Sequence, residues 1–234
     1  MSDTLTYRLD GSVAVVTLDD GKANAMGHAV LDGLTEALGR AEEEATALVL
    51  AGGARAFSAG YDLAVMTEST EAMRGLVTAG ARFLMRLYGS PLPTIAACTG
   101  HALAGGALTL LACDERIGPD GAPAKIGLNE VAIGMPLPVF AVELARDRLA
   151  PAHLTAAVLG QVYDPAGTVA AGYLDRVVPA GEVVDAAVAA ATERAALRRG
   201  AVGRTKAALR SRTIDHVLAT LDADIAALTG PEPG

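Results

Sequence analysis

Three short, almost wholly apolar runs constrain the fold of this chain more than any other feature. Residues 13–18, 47–51 and 94–98 are rich in Val, Ile, Leu and Ala and are bounded by turn residues, which is typical of buried strands. Amphipathic helices are predicted between them, over 28–45 and 70–88, from apolar residues at helical spacing. Strands joined by helices of this length pair in parallel through right-handed crossovers, so the sequence predicts an α/β fold with a parallel sheet.

The rest of the chain continues this alternation and then becomes helical. An apolar helix begins at Gly105 and runs to about residue 113, and a mostly apolar loop at 129–136 carries one carboxylate. The other predicted elements are strands at 116–118, 124–127 and 174–178 and helices at 139–149, 151–159, 165–171, 182–199 and 202–228. With no internal repeat or low-complexity linker, we expect a core over residues 1–180 and a C-terminal helical oligomerisation region over 181–234.

Composition excludes several classes of function. The formal net charge of −8 provides no basic surface for a nucleic acid or an anionic membrane. No apolar run reaches the roughly 18 residues of a membrane span, and the first ten residues do not resemble a signal peptide. Cys98 and Cys113 have no second pair nearby and the four histidines are scattered, so we expect reduced thiols, no metal site and a cytoplasmic protein.

Two loops of small residues follow buried strands and form the strongest functional signal. They are residues 56–63, with Ser-Ala-Gly at the centre, and residues 100–106, with two glycines at the start of a helix. Small residues let a ligand approach the backbone, and a helix N-terminus has unpaired N–H groups. At neighbouring strand ends of one parallel sheet, these loops would direct N–H groups to a common point, as in an oxyanion hole.

Other interpretations of these loops remain open. Either loop taken alone is equally well explained by a tight turn or by close packing of a helix on a strand. The glycine spacing at 100–106 differs from the GxGxxG of a dinucleotide site. Ser58 is not the centre of a GxSxG nucleophile motif, because Ala56 stands at the first glycine position and no His and acid follow in the required order.

Four stretches, taken together and in order, resemble the crotonase superfamily, also called the enoyl-CoA hydratase/isomerase family. Residues 19–26 resemble its first ligand loop, and 56–63 and 99–106 resemble its two oxyanion-hole motifs. Residues 129–136 resemble the stretch that holds a catalytic Glu, and the likeness extends over about residues 7–210. It implies a crotonase-like spiral of ββα units with C-terminal helices, usually assembled as a homotrimer or a dimer of trimers.

The same resemblance implies roles for individual residues. The backbone N–H groups of Tyr61 and Gly105 would hold a thioester carbonyl oxygen, and Glu130 would be the acid/base. No metal or separate cofactor is implied, because coenzyme A is part of the acyl-CoA substrate. Lys206 would face the CoA phosphates unless it is simply a solvated lysine on the face of its helix. The residues that would lie against CoA are Lys22, Ala23, Ala25, Ala59, Gly60 and Asp62.

One departure from the family pattern narrows the chemistry. A second glutamate, which a hydratase of this family typically has, would fall at Leu108, and no carboxylate lies in the first two turns of that helix. A single base suffices to move a proton between the α- and γ-carbons, whereas adding water also needs an oriented water molecule. The sequence therefore favours isomerisation of 3-enoyl-CoA to 2-enoyl-CoA by Glu130 alone.

Three alternatives to this isomerase remain. A lone Glu with a trapped water would serve an enoyl-CoA hydratase of fatty-acid degradation, and a homologue that binds acyl-CoA without catalysis would also lack the second Glu. A serine hydrolase using Ser58 would need a paired His. The apolar residues that are candidates for lining an acyl pocket are Tyr61, Met66, Phe83, Leu108 and Met135.

Overall fold

The computed structural model describes residues 4–121 and 123–230. Its strands are β1 (Leu5–Asp10), β2 (Val13–Leu18), β3 (Ala47–Gly52), β4 (Ala56–Ser58), β5 (Thr94–Ala97), β6 (His101–Leu103), β7 (Glu115–Asp120), β8 (Ile126–Gly127), β9 (Val162–Tyr163) and β10 (Arg176–Pro179). Its α-helices are α1 (His28–Glu44), α2 (Leu63–Glu68), α3 (Thr70–Gly89), α4 (Gly105–Ala112), α5 (Val139–Arg148), α6 (Pro151–Val158), α7 (Pro165–Ala171), α8 (Val183–Ala195) and α9 (Arg199–Ala227). Short 3₁₀ turns lie at Val131–Ile133 and Ala180–Glu182.

The strands form two sheets, and the chain passes from one to the other in a spiral. The larger sheet has the order β1-β2-β3-β5-β7-β10 and is parallel except for β1, which pairs antiparallel with β2. The smaller sheet has the order β4-β6-β8-β9, and its last pair is antiparallel. Because β3, β5 and β7 are followed by β4, β6 and β8, each turn of the spiral adds one strand to each sheet. The predicted α/β spiral is confirmed.

The larger sheet is buried on both faces, which explains why its central strands are apolar along their whole length. Alternate residues of a strand point to opposite faces. Leu48 and Leu50 therefore belong to the main core, whereas Val49 packs on the other face against α8. The buried residues of α8 have small side chains, which allow the helix to approach the sheet closely. They are Val183, Ala187, Ala190 and Ala191.

The sequence patterns miss five strands and helices, namely β1, β4, β6, β9 and α2. Strand β1 is mostly exposed, so no apolar run marks it, and its pairing with β2 holds it at the sheet edge. Strands β4 and β6 lie within or beside the two loops of small residues, and β9 has only two residues. Helix α2 is capped by Asp62, whose carboxylate accepts a hydrogen bond from the Ala64 N–H. Helix boundaries also shift, since α8 ends at Ala195 rather than at residue 199.

The last helix, α9, lies against α3 of the same chain. Its apolar stripe faces the main core, apart from Leu218, which is about half exposed. At the C-terminal end of α9, the guanidinium of Arg74 on α3 donates hydrogen bonds to the carbonyl oxygens of Ala226 and Leu228, at 2.6 and 2.9 Å. These bonds fix the end of α9 beside α3.

Candidate active site

Two of the segments singled out in the sequence lie side by side. The Ala59 N–H donates a hydrogen bond to the Ala23 carbonyl oxygen (2.9 Å), and the Met26 N–H donates one to the Gly60 carbonyl oxygen (2.8 Å). These bonds align the first ligand loop with the first loop of small residues. Backbone from two distant parts of the sequence therefore forms one continuous surface.

Asn24 holds this arrangement together, and sequence reasoning gave it no role. It is buried, and its backbone lies in the left-handed region, with φ at +54°. Its side-chain amide donates hydrogen bonds to the carbonyl oxygens of Leu18 and Ala56, both at 2.8 Å, and its Oδ1 accepts one from the Asp20 N–H. Asn tolerates this conformation better than most residues. The Asn-Ala pair at the end of the ligand loop was therefore the sequence signal that could have identified Asn24.

The second loop of small residues meets the first where α4 begins. A Cβ atom at Gly60, which has φ of +97°, would lie 3.0 Å from the Leu103 carbonyl oxygen and 3.2 Å from the Gly105 nitrogen, so glycine is required there. Ala104, with φ of +49°, turns the chain into α4. Within residues 4–121 and 123–230, the N–H groups of Tyr61 and Gly105 donate to no protein acceptor. Both donors that the sequence predicts for a carbonyl oxygen are therefore available.

A cavity of about 640 Å³ lies beside these loops, within the size range of small-molecule sites. Its wall is mainly apolar and comes from α2, α3, α4, the loop at 129–136 and the end of α9. Of the residues expected to contact CoA, four line it: Ala23, Ala25, Ala59 and Asp62. Of the candidates for an acyl pocket, four line it: Tyr61, Met66, Leu108 and Met135. Phe83 belongs to the main core instead.

Glu130 lines this cavity and is the predicted acid/base. It directly precedes the 3₁₀ turn Val131–Ile133, and its Oε2 atom is buried with no hydrogen-bond partner in the described part of the chain. Burial removes water from the charged form and raises the pKa of Glu130 to about 7. A carboxyl group that titrates near neutrality can both accept and return a proton.

Neutral polar groups, rather than cations, surround Glu130. Burial, and also the negative charge of Glu130, raises the pKa of both Tyr61 and Tyr173 above its usual value, so both phenols stay protonated. The hydroxyl oxygen of Tyr61 and the Oδ1 atom of Asn129 are buried, and neither has a hydrogen-bond partner among the described residues. Asn129, which also lines the cavity, was not predicted, because no pattern distinguishes it from a turn residue.

The position expected for a second glutamate is apolar. Leu108 is buried on α4, with 1% of its surface exposed, and it lines the cavity. Asp62 is a further carboxylate in the wall, but its Oδ1 atom already accepts the Ala64 N–H as the N-cap of α2. Glu130 and Asp62 therefore differ, because the Asp62 carboxylate caps α2 whereas the Oε2 atom of Glu130 has no partner among the described residues.

The remaining predicted CoA residues lie close to this wall. Gly60 supports the junction of the two loops, as described above. Lys22 is exposed and lines a second cavity of about 170 Å³, together with Asn24 and the exposed Arg55. Arg55 was not predicted, although it directly precedes the first motif. Two cations, Lys22 within the ligand loop and Arg55 beside it, thus line this cavity together with the carboxylate of Asp19.

Lys206 does not occupy the solvated position that the sequence allows. It is 8% exposed, and its Nζ atom donates hydrogen bonds to the Leu92 carbonyl oxygen (2.6 Å) and to Asp114 Oδ2 (2.8 Å). The expectation of a solvated lysine is wrong, because helical periodicity does not reveal a buried ion-pair partner elsewhere in the chain. The same pairing leaves its ammonium group engaged, which argues against a contact with CoA phosphates.

Ser58 is engaged as a structural residue. Its hydroxyl donates to the Asn24 carbonyl oxygen (2.8 Å) and accepts a hydrogen bond from the Gly60 N–H (3.1 Å). It is buried, and none of its hydrogen-bond partners in the described residues is a histidine. This arrangement does not activate a nucleophile.

Residues 4–121 and 123–230 contain neither a metal cluster nor a membrane-spanning helix. No group of three or more His, Cys, Asp or Glu side chains is placed to hold a metal ion in that part of the chain. None of the helices described there has the length and apolarity needed to cross a membrane.

Comparisons with known proteins agree on one family. The family model described as enoyl-CoA hydratase/isomerase matches residues 8–231. A putative enoyl-CoA hydratase from Thermus thermophilus is 35% identical over 78% of this chain and 74% of its own length. The human mitochondrial enoyl-CoA delta isomerase 1 is 33% identical over 72% of this chain and 57% of its own length, so the match spans little more than half of that relative.

Solved structures give the same picture. The crystal structure of an enoyl-CoA hydratase/isomerase family protein from Pseudomonas syringae is similar with a TM-score of 0.94, at 39% identity, over 97% of this chain and 99% of that one. Human mitochondrial delta3-delta2-enoyl-CoA isomerase is similar with a TM-score of 0.90, at 29% identity, over 96% of this chain and 90% of that one. Proteins named as hydratases and as isomerases thus share this fold.

Proposed function

Because the chain belongs to the enoyl-CoA hydratase/isomerase family, we propose that it converts 3-enoyl-CoA thioesters to 2-enoyl-CoA thioesters with Glu130 as the single acid/base. One observation carries this proposal. Among the described residues that line the cavity, Glu130 is the carboxylate with an unpartnered buried oxygen, while the position of a second glutamate is held by Leu108. One free carboxylate matches a reaction that needs one base.

The first step is removal of a proton from the α-carbon. The thioester carbonyl oxygen accepts hydrogen bonds from the N–H groups of Tyr61 and Gly105, which have no protein acceptor within the described residues. Each such donor stabilises the developing oxyanion by about 2.7–4 kcal/mol in the transition state. The α-proton then becomes acidic enough for a carboxylate to remove it.

The second step returns the same proton to a different carbon. Glu130 takes the proton from the α-carbon, the electrons pass through the enolate, and the protonated Glu130 gives the proton to the γ-carbon. The double bond moves into conjugation with the thioester, and the carboxylate is restored. A pKa of about 7 suits both transfers at neutral pH, and no cofactor beyond the CoA of the substrate is needed.

The CoA part of the substrate is assigned to the ligand loop and the first loop of small residues. Ala23, Ala25 and Ala59 present little side chain to it. The exposed cations Lys22, within the ligand loop, and Arg55, beside it, would contact the CoA phosphates, although Asp19 lines the same cavity and the net charge is −8. Local charge of this kind is sufficient for a small anionic ligand.

The second candidate function is enoyl-CoA hydration, and one observation favours it. Asp62 gives the cavity a second carboxylate, and its Oδ2 atom is not used in the hydrogen bond that caps α2. A water molecule held between Asp62 and Glu130 would supply the nucleophile that hydration requires. The engagement of Asp62 as a helix cap makes this the weaker candidate.

The deciding experiment compares two matched substrates. Purified enzyme is given 3-enoyl-CoA or 2-enoyl-CoA of the same chain length, and the conjugated and hydrated products are separated by chromatography. We expect isomerisation of the 3-enoyl substrate to be faster than hydration of the 2-enoyl substrate. Faster hydration would overturn the isomerase assignment in favour of the hydratase.

The same assay separates the remaining alternatives. Binding of acyl-CoA without turnover of any enoyl, dienoyl or malonyl thioester would select a non-catalytic homologue. Covalent labelling of Ser58 by a fluorophosphonate would select a serine hydrolase. We expect no labelling, because the Ser58 hydroxyl is buried and hydrogen-bonded to the Asn24 carbonyl oxygen.

We further propose that the protein assembles as a homotrimer or a dimer of trimers. Exposed apolar side chains support this proposal, including Val131, Ile133 and Leu159, each more than 40% exposed. Burying such residues between subunits would remove apolar surface from water. Light scattering after size-exclusion chromatography gives the mass directly, and a monomer would contradict the proposal.

A further inference from the structure

The side chain of Tyr61 is placed by two glycines on neighbouring helices. A Cβ atom at Gly80 of α3 would overlap the Tyr61 hydroxyl oxygen and would lie 2.5 Å from two of its ring carbons. A Cβ atom at Gly105, at the start of α4, would lie 3.3 Å from Cζ of the same ring. The ring therefore fits between α3 and α4 because neither helix has a side chain at the contact.

Packing, rather than hydrogen bonding, fixes this ring. The Tyr61 hydroxyl oxygen is buried and has no partner among the described residues. The ring forms part of the cavity wall, to which Val77 of α3 and Leu108 of α4 also contribute. A side chain that is held only by packing moves when a neighbouring residue changes in volume.

We propose that the side chain of Tyr61 limits the length of the acyl group that the cavity accepts, and that Gly80 is the positioning residue that sets this limit. The inference rests on the proposed function, since it assumes that the cavity holds the acyl group of a CoA thioester. It concerns the Tyr61 side chain alone. The backbone N–H assigned to the carbonyl oxygen is kept in every variant of this residue.

Two substitutions change the available space in opposite directions. Gly80→Ala places a methyl group where the phenol now lies and moves the ring towards the cavity, so the acyl limit becomes shorter. Tyr61→Leu removes the ring and leaves the space beside Gly80 and Gly105 open, so the limit becomes longer. Opposite shifts from two residues in contact are not expected from general damage to the fold.

The experiment measures dissociation constants for saturated acyl-CoAs, from butanoyl-CoA to palmitoyl-CoA, by isothermal titration calorimetry. While added methylene groups enter the cavity, each improves affinity by about fourfold, and the gain stops when the cavity is full. We expect this break point at a shorter chain in Gly80→Ala and at a longer chain in Tyr61→Leu. Tyr61→Phe, which keeps the ring, should break at the wild-type length.

Gly75→Ala is the matched control on the same helix. Gly75 is exposed on α3, and a Cβ atom there would meet its nearest neighbour, a His28 ring carbon, at an ordinary 3.9 Å. It reproduces the effect of Gly→Ala on helix stability without contacting Tyr61. We expect its break point to equal that of the wild type.

The outcomes separate this inference from the proposed reaction. Saturated thioesters do not isomerise, so shifted break points without turnover of 3-enoyl-CoA would support the inference and overturn the isomerase proposal. Turnover with identical break points in all variants would do the reverse. Absence of acyl-CoA binding in the wild type would overturn both.

Tyr61→Leu keeps the inference testable if Gly80→Ala fails to fold, as circular dichroism would show. A break point at a longer chain than in the wild type would then support the acyl limit set by the Tyr61 ring. An unchanged break point in Tyr61→Leu would overturn it.

Discussion

Two half-buried carboxylates, Glu130 and Asp114, show how differently the same chemical group behaves in two regions of this molecule. Asp114 forms ion pairs with Lys206 (2.8 Å) and Arg210 (2.7 Å) and also accepts the Thr94 N–H. Burial alone would raise the pKa of Asp114, but the two cations and the hydrogen bonds hold it below its usual value. Glu130 has burial without cations, and burial raises its pKa to about 7.

This difference shows that burial alone does not identify a catalytic acid. Asp114 is satisfied on both oxygens, so its charge ties α9 to the sheet and to α4, and it has no proton to exchange near neutral pH. Glu130 keeps an unpartnered oxygen beside a cavity. Burial of a carboxylate without a neighbouring cation lowers the stability of the folded protein, and it also raises the pKa of the group into the range useful for proton transfer. This compromise is usual at functional sites.

The largest effect should follow from Glu130→Gln, which keeps the shape and removes the base. We expect kcat for 3-enoyl-CoA to fall by about 10²–10⁴-fold. The free energy of unfolding should increase at pH 8, because no charge remains to be buried. Steady-state kinetics and urea unfolding of the same preparation measure both quantities.

Glu68→Gln is the control for this variant. Glu68 is exposed at the end of α2 and is not among the residues lining the cavity. We expect its kcat to be within twofold of the wild type, about the size of a neutral surface change. Retention of near wild-type activity by Glu130→Gln would show that another group is the acid/base.

Asp114→Asn should produce the next largest effect, on stability rather than on chemistry. It leaves the ammonium of Lys206 and the guanidinium of Arg210 buried without a counter-charge, and breaking such a pair typically destabilises by about 3–5 kcal/mol. Urea unfolding gives the free energy, and kcat of the folded protein should be largely unchanged.

An exposed pair provides the comparison for Asp114→Asn. Arg8 and Asp10 are 2.9 Å apart at the surface, so Asp10→Asn should cost no more than about 1 kcal/mol. Equal losses in Asp114→Asn and Asp10→Asn would contradict the view that burial makes the Asp114 pairs important.

The smallest effect is a pair of opposite pH dependences. The pKa of Glu130 rises from 4.5 to about 7 on folding, so the folded chain holds this proton more tightly and stability falls by up to about 3 kcal/mol as pH rises through that window. The pKa of Asp114 is lowered, so its stabilisation is lost as pH falls below the usual value of 3.8. Urea unfolding from pH 3 to 8 measures both.

The Glu130→Gln variant isolates the first of these two dependences. Its free energy of unfolding should exceed that of the wild type by an amount that grows between pH 4.5 and 7 and is constant above it. Parallel curves for the two proteins would mean that Glu130 has an ordinary pKa and that its environment is wetter than the cavity suggests.

Sequence reasoning predicted the parts of the fold and site that depend on local pattern. The buried strands β2, β3 and β5 follow from continuous apolar runs, and the loops around Gly60 and Gly105 follow from small residues directly after strands. Glu130 was predicted because its motif lies in one short stretch. In each case, the residues that carry the signal are neighbours in the chain.

Features that depend on distant partners were not predictable. Lys206 contacts the Leu92 carbonyl oxygen 114 residues away, and periodicity on α9 cannot reveal such a partner. The contribution of Leu228 to the cavity wall was missed for the same reason, because it requires α9 to return along α3. Strand β1 was missed because hydrogen bonds to β2 hold it, and its own side chains are mostly exposed.

The hydrogen bonds between Arg74 and the Leu228 carbonyl oxygen have a consequence for synthesis of the protein. They join residues 154 positions apart, and Leu228 is part of the cavity wall. The strands and loops proposed to hold the thioester precede α9 in the chain, whereas the cavity wall lacks Leu228 until α9 has been synthesised. The cavity wall is therefore complete on this side only after residue 228 has left the ribosome.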